Sequence, residues 1–211
     1  MNFFTQKELT EIGIDEAGRG PMAGPVVAAA VIWDSSISPE DITDSKKLSR
    51  KKRERLYDYI TENAISYGIG ISTAEEIDKF NILQATYMAM HKAVKQIENK
   101  IGINDTKYKI IVDGTAFKPY YNSKMELIEH FCVAKGDSRY IHIAAASILA
   151  KVQHDRYMLH LCKTKDVKKY GWERNMGYGT KEHLEAINNY GITQYHRKTF
   201  GICANKKVHF V

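Results

Sequence analysis

Ile12-Gly-Ile-Asp-Glu-Ala-Gly-Arg-Gly-Pro-Met-Ala-Gly-Pro-Val-Val27 opens on alternating apolar residues and sets two adjacent carboxylates, Asp15 and Glu16, where that strand pattern ends. Neighbouring acids repel one another and are tolerated beside a cation or solvent. The glycines that follow let the backbone approach a ligand closely, and Arg19 among them offers a fork suited to phosphate. Val26 to Trp33 is a run of β-branched residues and alanine that predicts a second, buried strand, antiparallel to the first across a Gly/Pro turn. Acids beside phosphate-seeking groups point to a metal-dependent phosphodiester site. The glycine spacing is not that of a dinucleotide fingerprint, and no Gly-Lys-Ser/Thr follows to make a nucleoside triphosphate loop.

Outward from this stretch, Ser49 reads as the N-cap of a helix over Arg50 to Asn63. Ile65, Tyr67, Ile69 and Ile71 alternate as in a third strand, Ala64 to Ser72, with one face buried. Thr73-Ala-Glu-Glu76 has capping-box spacing, and Ile82, Thr86, Met90, Ala93 and Ile97 repeat at helical spacing after Asn81. Tyr108 to Val112 predicts a fourth strand running into Asp113-Gly114. Glu126 to Phe131 predicts a helix, Cys132 to Ala134 a short fifth strand, and Ile141 to Met158 a long apolar helix packed on a sheet. This succession argues for one α/β domain over residues 1–211, with about 165–211 as a helical C-terminal appendage of the same domain.

Composition narrows the function. The net charge of +6 comes with two basic clusters, Lys46 to Arg55 and Lys163 to Lys169, a distribution compatible with a polyanionic partner. The longest apolar run, Pro25 to Trp33, is less than half a membrane span, so no membrane association is expected. Cys132, Cys162 and Cys203 lie far apart in no metal-ligand spacing, consistent with reduced thiols and a cytoplasmic location. The histidines form no His-Glu-x-x-His pair, and Ser147 lies in no Gly-x-Ser-x-Gly elbow, which leaves zinc and side-chain nucleophiles without a motif.

Asp113 and Asp137 both follow apolar strands at Gly-containing turns. If those strands run parallel to the first, both acids reach the same sheet end as Asp15 and Glu16, where open α/β sheets place ligands. Converging carboxylates of this kind suit Mg²⁺ or Mn²⁺. Asp155, in Lys151-Val-Gln-His-Asp-Arg156, competes with Asp137 for the fourth place, with a structural ion pair to Arg156 as its alternative role; spacing does not choose between them.

The chain resembles bacterial type 2 ribonuclease H in the opening stretch and in Asp44-Ser-Lys-Lys-Leu48, Ile111-Val-Asp-Gly114 and Lys135-Gly-Asp137. Ala144-Ala-Ala-Ser-Ile-Leu-Ala-Lys-Val152, Gly177-Tyr-Gly-Thr180 and His196-Arg197 extend the likeness over nearly the whole chain. The resemblance implies an α/β ribonuclease H-like fold, a five-stranded mixed sheet flanked by helices with a helical C-terminal segment. It assigns metal binding to Asp15, Glu16, Asp113 and Asp137 and leaves Asp155 a secondary candidate. It further implies that Gly18, Arg19 and Gly20 read the 2′-hydroxyl at an RNA–DNA junction, that Tyr178 stacks on the deoxyribose side, and that Ser45, Lys46 and Ser147 meet phosphate. The implied activity is Mg²⁺- or Mn²⁺-dependent hydrolysis of the RNA strand of RNA–DNA hybrids, and incision 5′ of single ribonucleotides in duplex DNA during ribonucleotide excision repair, by a monomer. Asn175-Met176 replaces the His-Lys usual in relatives, removing one implied phosphate contact. With 14 residues before Asp15, type 2 is expected rather than type 3, whose members carry an added N-terminal domain. No sliding-clamp peptide is legible in Gly201 to Val211, so a clamp partner is left open.

Overall fold

The computed structural model describes residues 10–101 and 107–211. Its centre is a five-stranded sheet built from β1 (Thr10–Ala17), β2 (Val26–Ile32), β3 (Ser66–Ser72), β4 (Tyr108–Asp113) and β7 (His130–Val133), in the order β3-β2-β1-β4-β7. β1 pairs antiparallel with β2 as expected, β2 antiparallel with β3, and β4 lies parallel to both β1 and β7. A short hairpin of β5 (Tyr120–Tyr121) and β6 (Leu127–Ile128) precedes β7.

Every residue of β2 is buried because helices cover both faces of the sheet. Val26, Ala28, Ala30 and Ile32 face α2 (Ala74–Ile101), while Ala29 and Val31 face α1 (Arg50–Asn63) and α3 (Ile141–Thr164). The α1 bounds and its Ser49 cap, whose hydroxyl accepts from the Lys52 N–H at 3.3 Å, match the expectation. The capping box also forms, with Glu76 accepting from the Thr73 N–H and the Thr73 hydroxyl accepting from the Glu76 N–H. α2 breaks at Asn81 (φ 67°), whose side chain then caps the second segment through the Gln84 N–H.

Three expectations are corrected. Residues 126–131 are not helical: Tyr120 and Tyr121 pair with Ile128 and Leu127, and His130 begins β7. Asn122 closes the hairpin by accepting from the Lys124 and Glu126 N–H groups. The open edge of β4 then captures the following residues, so the fifth strand starts at His130 instead of Cys132. Third, the fully buried face of β3 is Ser66, Gly68, Gly70 and Ser72, not the isoleucine face. A Cβ on Gly70 would sit 1.9 Å from the Ala89 carbonyl oxygen, so helix backbone occupies the space that side chains would fill. That closeness lets Lys92, Gln96 and Lys100 bond the Ile71, Ile69 and Tyr67 carbonyls along the free edge of β3.

Beyond α3 the chain forms α4 (Trp172–Asn175), α5 (Lys181–Tyr190) and a small parallel pair, β8 (Ile192–Thr193) with β9 (Val208–His209). Its apolar cluster includes Tyr170, Trp172, Ile187 and Cys203 and takes in Ala23 from the glycine-rich turn. Among the described residues, no helix is long and apolar enough to cross a membrane.

Candidate active site

In the parallel pairing of β1 with β4, Ile14 stands opposite Val112, so the next residues, Asp15 and Asp113, emerge together at the carboxyl ends of neighbouring strands. β7 extends the same end: Asp113 stands opposite Val133, and a left-handed Lys135 (φ 57°) turns the chain back into a short 3-10 turn, Gly136–Ser138, that carries Asp137. Asp113 Oδ1 accepts from the Gly136 N–H at 2.7 Å, tying the turn to the strand. Each of Asp15, Asp113 and Asp137 places a carboxylate oxygen within 4.8 Å of the others'.

Burial, reinforced by the charges of Glu16 and Asp113, holds the Asp15 carboxyl well above the ordinary range. Burial also raises Asp137, helped by Asp113 and Asp44 and opposed by Lys46. Among the described residues, none of the three acids has a lysine or arginine at ion-pair distance. Repulsion without an ion-paired lysine or arginine among the described residues, and oxygen as the sole donor type, fit a hard divalent cation. Glu16 stands outside this group of three. Its carboxylate takes an ion pair from Arg19 at 3.2 Å, although burial still raises its pKa.

The glycine-rich turn is held by Arg197, buried in the C-terminal segment. Its guanidinium donates to the carbonyls of Gly18, Arg19, Gly24 and Pro25 at 2.5–3.0 Å. Gly18 adopts φ 85°, and a Cβ there would lie 2.4 Å from the His154 ring. Met22 donates to the Gly177 carbonyl at 2.8 Å, which brings the Gly177-Tyr178-Gly179 turn alongside. A Cβ on Gly20 would meet the Tyr178 ring at 3.4 Å, and Tyr178 is 41% exposed. Residues some 150 positions apart thus form one surface beside the carboxylates.

The Ribonuclease HII family model matches residues 12–203. The chain belongs to the ribonuclease HII family. It is 48% identical over 190 residues to the Ribonuclease HII of Parabacteroides distasonis, covering 90% of this chain and 89% of that one. Among solved structures it resembles the ribonuclease H2 of Pyrococcus horikoshii OT3, with a TM-score of 0.68 and 26% identity over 93% of this chain and 96% of that one. It shares its fold with Bst-RNase HIII, solved in complex with Mn²⁺, at a TM-score of 0.69 and 21% identity, covering 87% of this chain and 63% of that one. The protein is therefore a ribonuclease H, an endonuclease of a divalent-metal-dependent class that cuts RNA in RNA–DNA hybrids.

The remaining predicted residues surround this candidate site. Ser45 and Ser147 are both buried and share a hydrogen bond of 2.8 Å, which ties the loop before α1 to α3; Ser147 also lowers the Asp15 pKa in opposition to burial. Lys46 is exposed beside Glu16 and Asp137, and its charge partly opposes the burial that raises both of their pKa values. Asp155 stands outside the three-carboxylate group and is ion-paired, but not with Arg156, which binds Glu54 instead. Its partners are Lys151 at 2.8 Å and Arg53 at 3.9 Å. Burial pushes the Asp155 carboxyl up, and hydrogen bonds from His154 and Lys151 outweigh it and hold the pKa down. Arg53 in turn donates to the Ser45 and Leu48 carbonyls. The structural role of Arg197 left no local signal in the sequence, because every carbonyl that it binds lies more than 170 residues away.

Proposed function

We propose that this ribonuclease hydrolyses the phosphodiester on the 5′ side of a ribonucleotide, in RNA–DNA hybrids and at single ribonucleotides embedded in duplex DNA, leaving 3′-hydroxyl and 5′-phosphate ends. The observation that carries this reading is the contiguity of the three-carboxylate cluster with the Gly18–Gly20 turn and the exposed face of Tyr178. Asp15, Asp113 and Asp137 hold Mg²⁺ or Mn²⁺, with Glu16 at the margin of the cluster. When bound, such a cation offsets phosphate charge and activates water for in-line attack.

The chain's own residues position the substrate. Gly18 and Gly20 present backbone to the 2′-hydroxyl, the chemical difference between a ribonucleotide and its DNA neighbours. Tyr178 offers a flat face to the adjacent deoxyribose, and Arg19 and Lys46 offset phosphate charge, Lys46 on a backbone fixed by the Asp44 side chain. Ser45 and Ser147 hold the Lys46 loop against α3 at the phosphate's edge. Residues 165–211 act as part of the same catalytic domain, a role supported by the four hydrogen bonds from Arg197 to residues 18–25. The setting is ribonucleotide removal from DNA by a cytoplasmic monomer.

The test is cleavage of duplex DNA bearing one ribonucleotide, and of an all-RNA hybrid, with Mg²⁺, Mn²⁺ or EDTA. Cation-dependent incision 5′ of the ribonucleotide with the stated ends is expected; EDTA-resistant cleavage or 3′-phosphate ends would overturn the reading.

A further inference from the structure

Tyr178 projects from a turn whose ring-side contacts are sparse: Gly20 below it and the Lys151 ammonium 5.8 Å from its centroid. Its backbone, by contrast, is firmly anchored. The Tyr178 N–H donates to the Asn175 carbonyl, and the Tyr178 carbonyl accepts from the Thr180 N–H at 2.8 Å and from His183 Nδ1 at 3.0 Å.

His183 is fully buried, and its proton arrangement is fixed by its partners. A carbonyl can only accept, so Nδ1 carries the hydrogen. An indole N–H can only donate, and Trp172 Nε1 lies 3.0 Å from Nε2, so Nε2 carries the lone pair. His196 Nε2 is 3.2 Å from the same Nε2 and can only share that lone pair as a second, bifurcated donor. His196 Nδ1 is then the acceptor, and it receives the Thr193 N–H at 2.9 Å and faces the Thr193 hydroxyl at 3.0 Å. Both rings are neutral in this arrangement, and burial lowers the pKa of each, that of His196 to about 3. The Tyr170 and Trp172 rings pack against His196 at 4.7 and 5.1 Å. The next residue, Arg197, holds the glycine-rich turn.

We propose that His183 is a positioning residue for substrate discrimination: it stands at the end of a hydrogen-bond relay from Thr193 through His196, and its Nδ1–H on the Tyr178 carbonyl fixes the tyrosine opposite Gly20. The inference rests on the reading of Tyr178 as the junction residue.

Asn and Phe at position 183 separate this role from simple packing. Asn approximates Nδ1 and keeps a donor for the Tyr178 carbonyl, whereas Phe keeps the volume and loses the donor; both leave Trp172 Nε1 and His196 Nε2 without their acceptor, so the pair of variants isolates the bond to Tyr178. The quantity read is the ratio of kcat/KM on a single embedded ribonucleotide to that on an all-RNA hybrid. His183→Phe is expected to lower this ratio about tenfold, the upper end for one buried hydrogen bond. His183→Asn should stay within about twofold of the parent, with both variants losing similar thermal stability. Equal ratios in His183→Phe and the parent, or equal losses in both variants, would overturn the inference.

Tyr178→Ala is measured alongside. If it collapses the ratio while His183→Phe does not, the relay alone fails; if it leaves the ratio unchanged, the reading of Tyr178 fails with it. On the unaltered protein, ¹⁵N resonances of the imidazoles should show His183 protonated at Nδ1 and His196 at Nε2. The opposite tautomer at His183 would refute the relay whatever the variants do.

Discussion

The carboxylate cluster and the glycine-rich turn adjoin, yet opposite means hold them together. Asp15, Asp113 and Asp137 are brought within 4.8 Å by strand register and one tight turn, against their own repulsion and without an internal cation. The turn over residues 18–25 is gathered by a single buried guanidinium that satisfies four carbonyls. In the proposed reading, one region is left incomplete by folding and gains on binding a cation. The other is complete when folded and presents a rigid face.

The sharpest way to break this contrast is to neutralise one acid. Asp15→Asn or Asp113→Asn should reduce cleavage by more than the roughly 10–100-fold that losing an outer partner of a metal ligand costs, while the metal-free fold keeps or gains stability. A variant that cuts well, or that unfolds, would place these acids in the scaffold.

Arg197→Met should do the reverse. It strands buried carbonyl acceptors, so we expect a loss of about 3 kcal/mol or more in denaturant unfolding, and Arg197→Lys should not restore it because an ammonium cannot span the same carbonyls. Stability within about 0.5 kcal/mol of the parent, the scatter of an ordinary surface substitution, would mean that the turn is self-supporting.

Asp137 and Asp155 sharpen the boundary between the two regions. Asp137→Asn should be far more damaging to cleavage than Asp155→Asn, which loosens only Lys151, Arg53 and His154 and should cost no more than about 10–100-fold. Equal losses at saturating metal, with both variants folded, would make Asp155 a ligand.

Lys46→Ala carries the smallest effect. The slope of log affinity for substrate against log salt should fall by about one, the signature of a single lost phosphate contact. An unchanged slope would mean that Lys46 is merely solvated.

The difference between the regions also explains what the amino-acid sequence disclosed. α1 was legible to the residue because its signals, the Ser49 cap and the apolar positions of its inner face, are local. Asp15 and Asp113 were legible because each ends an apolar strand. Strand direction, which decides whether those ends meet, follows from pattern only in part: the residues of β7 carry a partly helical pattern because their pairing with β4 is invisible within the segment. The buried face of β3 was misjudged for a related reason. Alternating isoleucines mark a half-buried face there, and serine and glycine mark the place where α2 backbone arrives. His196 and Arg197 stand out in the sequence only through the family resemblance, and what they and His183 hold is opaque there, since a buried polar side chain declares its role through partners distant in sequence. Glu16 is assigned to the metal by its place beside Asp15 and by the family resemblance; in the structure its carboxylate also takes an ion pair from Arg19.

The central claim is that the carboxylates are a cation site whose strain the fold bears until metal arrives. It is tested most directly by thermal unfolding of the parent in EDTA and with Mn²⁺, across pH. Burial raises the folded-state pKa values of Asp15 and Asp137, so the folded protein binds more protons than the unfolded chain over the interval between the two pKa values. Their destabilising effect is full above the raised folded values and relaxes as pH falls toward the ordinary carboxylate range. Mn²⁺ should therefore raise Tm most at neutral pH and progressively less toward acid, and Asp113→Asn should blunt that gain. A Tm indifferent to Mn²⁺ at neutral pH, in a protein that still cleaves its substrate, would contradict the account.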